Sequence, residues 1–283
     1  MTDYCPQLSR AGLAPTHTVT ALDEYGEPRR VEIAGERPLT LYLDKREIVT
    51  LMTLGSHPEA LALGYLRNQG FVTELAQIQS VQVDWEVEAA AVTSRAGNLG
   101  KMPRLDKRTV TTGCGQGTIF GDLLERLDEV RIPSTTFRQS QLYRLLNNIT
   151  AYNEVYKQAG AVHGCALCRD SEILHFVEDV GRHNAVDAIA GLMWLEGQTG
   201  ADKIFYTTGR LTSEMVIKVA QMGIPLLLSR SGITRMGHEM GERTNVTLIG
   251  RAKGRHFLVY SGGDSLQWDA VPQRRAGERP SRG

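Results

Sequence analysis

One cysteine stands among three glycines and three threonines in the segment 111–118, TTGCGQGT. Glycine on either side strips away the side chains that ordinarily shield a thiol, and it frees the backbone to take positive φ. Such a setting exposes the sulfur of Cys114 and suits it to nucleophilic chemistry, since a thiolate on a flexible loop can meet more than one partner. Lys101, Arg104, Lys107 and Arg108 precede it. Their charge favours the thiolate and attracts anionic partners, an effect that salt weakens.

A second set of reactive types recurs where strands are expected to end. VEDVGRHNAVD (177–187), YTTGRLTSEM (206–215) and LSRSGITRM (228–236) each place arginine, serine, threonine or carboxylates at a strand-to-helix junction. In open α/β sheets ligands settle beyond the carboxyl ends of strands, where helix N-termini offer unpaired amides. Three such junctions in succession sketch one pocket, and Arg182, Arg210, Arg230 and Arg235 suit it to an anionic, phosphorylated ligand with polar heterocycles. Blander roles stay open for single residues. Asp179 could cap a helix, as could Thr212 with Ser213, while Glu178, His183 and Asp187 could form a buried network without any ligand.

Cys165-Ala-Leu-Cys168 is the chain's one C-x-x-C. It could be redox-active, or could bind zinc together with His163, but a low thiol pKa calls for a helix N-terminus and GCALC reads as strand. Small core residues are the expectation for both cysteines. Cys5 is expected to be an unremarkable terminal thiol. A zinc deaminase needs H-x-E for ligand and proton shuttle and P-C-x-x-C for the other ligands. Here His163-Gly164-Cys165 has cysteine in the acid's place, and no P-C-x-x-C follows.

The elements that must hold these groups follow from pattern. Runs at 17–33 and 39–43 are β-rich and break at Tyr25-Gly26-Glu27-Pro28, the signature of a hairpin. A helix is predicted after His57-Pro58, ending at Gly70, and strand alternation returns over 80–95. FRQSQLYRLLNNITAYNEVY (137–156) predicts one helix with Leu142, Leu145, Leu146 and Ile149 on its buried face. Beyond Gly160 strands and helices alternate: paired strands in AVHGCALC and EILHFVE, a helix from Asp179 to Trp194, then KIFYTTG, TSEMVIKVAQMG, IPLLLS, RMGHEMGER, and closing strands in NVTLIG and HFLVYSG. That alternation predicts a layered α/β domain with a partly parallel sheet. RRAGERPSRG at the end has no apolar period and is expected to be disordered.

At 283 residues the chain suits one large domain or two smaller ones. Lysine plus arginine equals aspartate plus glutamate at 32 each, which argues against nucleic acid or a membrane surface as the main partner. MTDYCPQLSR lacks the features of a secretory signal, and no apolar stretch reaches membrane-spanning length. With four scattered cysteines, a reducing cytoplasm is the expected compartment.

EDVGRHNAVD, followed by TGR-x-x-x-EM, GIPLLLSRS and TLIGRAKGRHFLVY, resembles the FdhD family of formate dehydrogenase accessory sulfurtransferases. The likeness runs from the first hairpin to Tyr260. It implies a sulfur carrier that accepts persulfide sulfur from a cysteine desulfurase and passes it to molybdenum or tungsten in a bis(molybdopterin guanine dinucleotide) cofactor, thereby activating formate dehydrogenase. It also implies an α/β chain organised as a cytidine-deaminase-like layered α/β domain (121–265) after a smaller N-terminal α+β region (1–110). Between them lies a flexible cysteine loop (111–120), and a tail (266–283) follows. A homodimer and a site for guanine nucleotides come with the family. Cys114 takes the place of the family's sulfur-carrying cysteine. The cofactor site is expected at Arg182, His183 and Asn184; Thr208, Gly209 and Arg210; Ser229, Arg230 and Ser231; and Arg251, Ala252, Lys253, Gly254, Arg255 and His256. Many members carry C-G-x-C-G where this chain has Gly117 as the second position, which removes a disulfide within the loop but not a single persulfide. Arg251 stands where the family often has an aromatic. Two other readings remain: a chaperone that delivers the cofactor without moving sulfur, and a zinc-dependent nucleoside deaminase relative.

Overall fold

The computed structural model describes residues 4–99, 110–111 and 130–272. Cys114, most of the loop at 111–120 and most of the tail fall outside them. Strand β1 (Gln7–Leu8) is followed by β2 (Thr16–Leu22) and β3 (Pro28–Ala34), an antiparallel ribbon whose turn places Gly26 at φ 79°. This is the hairpin the Tyr25–Pro28 break predicts. Then come β4 (Arg37–Leu43), β5 (Arg46–Thr53), α1 (Pro58–Asn68), β6 (Ile78–Asp84), β7 (Ala89–Ser94) and β8 (Val110–Thr111). Apart from the ribbon and α1 they form a six-stranded sheet in the order β1-β6-β7-β4-β5-β8. Every second residue of β4, namely Leu39, Leu41 and Leu43, is buried, the period-2 pattern of a strand covered on one face.

The second half begins with β9 (Phe137–Arg138), α2 (Gln139–Ile149) and α3 (Glu154–Ala159). The single helix predicted over 137–156 is therefore two. Thr150 and Asn153 break it, because the Thr150 hydroxyl donates to the Asn147 carbonyl and the Asn153 side chain to that of Ile149, offering the backbone a local alternative. The expected face of Leu142, Leu145, Leu146 and Ile149 is buried.

There follow β10 (His163–Arg169), β11 (Glu172–Asp179), α4 (Arg182–Leu195), β12 (Ile204–Thr207), α5 (Ser213–Gln221), β13 (Leu226–Ser229), α6 (Arg235–Thr244), β14 (Thr247–Lys253), β15 (His256–Ser261) and β16 (Leu266–Gln267). Asp179 closes a strand here; the helix predicted to begin with it starts at Arg182, after Gly181. The sheet order is β11-β10-β12-β13-β14-β15. β12, β13 and β14 are parallel, and β10 runs against both its neighbours. The carboxyl ends of β11, β12, β13 and β14 thus share one edge with the amino end of β10.

Cys165, Leu167, Phe205 and Leu227 on one face of this sheet join α4, α5, α1 and the first sheet's leucines in a continuous apolar cluster. Ala166, Cys168, Tyr206 and Leu228 on the other face pack against α2. The layers are therefore sheet, helices, sheet and helix. The central layer is held by a close crossing of α1 and α4. A methyl group added at Gly64 would lie 1.7 Å from the Asp187 carbonyl oxygen, and one at Gly191 would lie 1.9 Å from that of Ala60. Only glycine lets these backbones meet.

Gly191→Val is expected to cost about 3 kcal/mol or more in urea unfolding, because the two helices must part. Gly232→Ala, where an added methyl meets nothing within 4 Å, should stay within about 0.5 kcal/mol of the parent.

Candidate functional site

Register alone gathers the site. His163 pairs with Asp179, Cys165 with Thr207, and Thr207 with Ser229. Past the strand ends, Thr208 N–H donates to the Gly164 carbonyl, Arg230 N–H to that of Thr207, and Arg251 N–H to that of Ser231. Side chains leaving this edge surround a cleft of about 540 Å³, lined by His163, Thr208, Arg230 and Ser231 and closed by Asn153 and Tyr156. A slot of about 250 Å³ adjoins it, sharing Asn153, Tyr156 and Arg230, with Leu146, Ile149 and Ala252 as apolar walls and Lys253 with Gly254 at its margin.

The predicted residues divide into three groups. Thr208, Arg230 and Ser231 line the cleft, and Ala252, Lys253 and Gly254 line the slot. Arg255 faces the opposite side of the β14–β15 turn, in a groove of about 700 Å³ with Tyr143, Arg144 and Asn147. Arg210 and Arg251 are exposed at the same edge, and His256 is half-buried on β15. Ser229 and Gly209 are braces: the fully buried Ser229 hydroxyl donates to the Gly209 carbonyl at 2.6 Å and accepts from Ser231 N–H at 2.9 Å. Gly209 is also the floor for Arg182, since a methyl there would come within 2.6 Å of Arg182 Cδ. The Arg182 Nε is buried without a hydrogen-bond partner among the described residues.

His183 and Asn184 turn inward instead. A helix rotates successive side chains by about 100°, so with Arg182 at the edge the next two enter the central layer. The Asn184 amide donates to the Met52 carbonyl at 2.6 Å and to Asp179 at 2.9 Å. Asp179 also accepts from the Thr53 hydroxyl at 2.5 Å, Leu54 N–H at 3.1 Å and Gly181 N–H at 3.1 Å. Burial raises its pKa against the pull of those donors. His183 lies 3.4 Å from Glu214, and burial, with Lys218, Arg182 and His163 nearby, pushes its imidazole down to about 2. It is a neutral ring at any ordinary pH.

Behind it Lys218 is fully buried, 2.7 Å from Asp187 and 3.7 Å from Glu214. Burial alone would lower the ammonium's pKa, but the two carboxylates hold it above its usual range. Asn68 of α1 donates to Asp187 at 2.7 Å. Part of the ligand-free network allowed by the sequence is therefore present, with Lys218 as its centre. Glu178 stands apart, accepting the first N–H groups of α3 from Val155 and Tyr156. Thr212 is the residue before α5 but makes no side-chain cap bond.

Asn153 and Tyr156 escaped the sequence reading, and His163 was weighed only as a zinc ligand. The signal for Asn153 was a polar residue with weak helix propensity inside an otherwise helical pattern. Cys165 and Cys168 are fully buried in opposite apolar clusters. Burial raises both thiols, Cys165 to about 12, so neither ionises near neutrality. Among the described residues no group of three His, Cys, Asp or Glu side chains could hold a metal. Nor is any of their helices long and apolar enough to cross a membrane.

Fold and site define a mixed α/β protein with a cation-rimmed cleft at the carboxyl edge of its second sheet, the position at which such sheets bind nucleotides. A solved structure of a candidate formate dehydrogenase accessory protein from Desulfotalea psychrophila shares the fold, with TM-score 0.70 and 24% identity over 89% of this chain and 98% of that one. The chain belongs to the FdhD/NarQ family, whose model matches residues 34–267. A relative in Listeria monocytogenes serotype 4b (strain F2365), named sulfur carrier protein FdhD, is 32% identical over 233 residues, covering 81% of this chain and 89% of its own. The protein of that name in Bacillus subtilis (strain 168) is 29% identical, with 84% and 92% covered.

Lys218→Met is expected to cost about 3–5 kcal/mol in chemical denaturation, because it strands Asp187 as a buried unpaired charge. Adding Asp187→Leu to that variant should recover most of the loss.

Proposed function

We propose that this chain carries sulfur from a cysteine desulfurase to the metal of a bis(molybdopterin guanine dinucleotide) cofactor, and so activates a formate dehydrogenase. The observation that carries the reading is the coincidence of the two legible halves. Its relatives are named sulfur carriers, and of the residues expected to hold an anionic cofactor Thr208, Arg230 and Ser231 line one cleft while Ala252, Lys253 and Gly254 line the slot that adjoins it. The cofactor is substrate here. Arg230 and Lys253 suit its phosphates, as does the Arg182 Nε, which has no hydrogen-bond partner among the described residues, while the slot walled by Leu146, Ile149 and Ala252 suits a flat ring.

Cys114 receives the sulfur. Its thiolate attacks the outer sulfur of the donor's persulfide; a new S–S bond forms on Cys114, the donor's S–S bond breaks, and the donor cysteine leaves as thiolate. The buried, protonated state of Cys165 and Cys168 supports assigning this step to a loop thiol. A mixed sheet between helical layers supports the deaminase-like organisation of the second half. A cysteine in place of the proton-shuttling acid speaks against deamination. We read the protein as a cytoplasmic homodimer.

Cys114→Ala should abolish activation of formate dehydrogenase while leaving guanosine diphosphate binding unchanged. Mass spectrometry after incubation with desulfurase and cysteine should find one added sulfur on the parent protein and none on the variant. Full activation by the variant would favour the delivery chaperone.

A further inference from the structure

The groove of about 700 Å³ beside the β14–β15 turn has no part in the proposed sulfur transfer. It shares Leu146 and Gly254 with the slot, but Arg255 turns into it while Lys253 turns away. One wall is a stripe of α2, where Ser140, Tyr143, Arg144 and Asn147 recur three and four residues apart. Facing it are Arg255 and the segment that reaches Ala270 and Val271. That segment is pinned. Asp269 accepts from Ser140 N–H at 2.9 Å and from the Ser140 hydroxyl at 2.7 Å, and Ala270 N–H donates to Gln139 at 3.3 Å. Pinning holds two apolar side chains in water, Trp268 at 62% and Val271 at 88% exposure. Trp268 stacks on Phe257, which tilts against Tyr143, with ring centroids 6.3 and 5.7 Å apart. A fixed, exposed tryptophan among tyrosine and arginine is the composition of a protein-binding hot spot.

The polar groups of the groove divide by what they still have to give. Ser140 is spent on Asp269, Asn148 donates to the Ser171 carbonyl at 2.9 Å, and Thr150 donates to that of Asn147 at 2.6 Å. The Tyr143 phenol accepts from Gln139 at 2.8 Å and keeps its own hydrogen. Arg255 has no ion-pair partner among the described residues, and Arg144 is held only by Asp170 at 3.6 Å, with both side chains more than half exposed. Three donors are left, two of them charged. Their complement is an anion that only accepts. We propose that this groove docks an acidic peptide segment of a protein partner, its carboxylates on Arg144, Arg255 and the Tyr143 hydroxyl and an apolar residue against Trp268 and Val271. Carboxylate is favoured over phosphate because the amides at the start of α2, where a phosphate would settle, are already taken by Asp269. The sequence beyond Pro272 carries the matching sign: residues 273–283, QRRAGERPSRG, hold four arginines and one glutamate, a composition that attracts an acidic partner.

Titration of the full chain with a labelled peptide of alternating glutamate and leucine, read by anisotropy and by tryptophan emission, tests the assignment. Trp268 is the exposed one of the chain's three tryptophans, so its emission should shift to the blue on binding. Affinity should fall as salt rises, and the same peptide with lysine for glutamate should not bind. Arg255→Glu and Trp268→Ala should each weaken the acidic peptide about tenfold. Arg30→Glu makes the same charge change on exposed β3, away from the groove, and should stay within about twofold of the parent. A parent that does not bind the acidic peptide overturns the proposal, as does an equal loss in Arg30→Glu and Arg255→Glu, which reduces the effect to net charge. Tighter binding of a single-stranded oligonucleotide gives the groove to nucleic acid instead. A parent dimer that Trp268→Ala converts to monomer in analytical ultracentrifugation gives it to a second copy of the chain, and either result ends the assignment.

Discussion

The carboxylate of Asp179 sits where the two sheets and the central helices meet, and the site inherits its geometry from that junction. It is the last residue of β11. From there it takes hydrogen bonds from Thr53 and Leu54 at the end of β5, from Gly181 before α4, and from Asn184 in its first turn. A buried carboxylate so fully satisfied resists rearrangement, since displacing any donor leaves charge without compensation. Its effect is to fix where α4 begins, and with it the direction in which Arg182 leaves the sheet edge. The glycine crossing of α1 and α4 then sets the depth of that helix. Position at the cleft is thus governed from the side facing away from it.

The same arrangement sorts the charges. Ionised groups of both signs inside the central layer are paired, as Lys218 is with Asp187, and the histidine behind the edge is neutral. The cations at the rim, Arg210, Arg230 and Lys253, stay in water. Their field is open to an anion and sensitive to salt. Behind Arg230 burial holds the Tyr206 phenol protonated, its pKa pushed up to about 12 against the opposing pull of the arginine's charge.

How much of this was legible beforehand depends on how local each signal was. The polar ends of β12 and β13 were readable because a short apolar strand followed by Thr-Gly-Arg or Ser-Arg-Ser announces its own edge. Sequence adjacency to Arg182 suggests that His183 and Asn184 share its cleft, but successive helical side chains point about 100° apart. Asp179 reads as a cap by composition, and only the pairing of β11 with β10 shows it to be a strand end. Asn153 and Tyr156 could not be assigned from pattern, since they reach the cleft through the packing of α2 on the far face of the sheet. Arg255 was placed with its neighbours, but a two-residue turn sends Lys253 and Arg255 to opposite sides.

Glycine at 117 changes what the carrier must do. With a second thiol in the loop, a persulfide could be resolved by its neighbour as a disulfide, and the sulfur would leave at once. With Cys114 alone no second thiol is available in the sequence of that segment, so on the proposed reading the bound sulfur persists until an acceptor arrives. The burden of timing then moves from the loop to the cleft. On that reading productive transfer depends on the acceptor already being held when the sulfur reaches it, and an anion-attracting rim beside an apolar slot suits such holding. On the proposed reading, a single-cysteine carrier therefore leans on the cleft more heavily than a two-cysteine one to hold its acceptor in place.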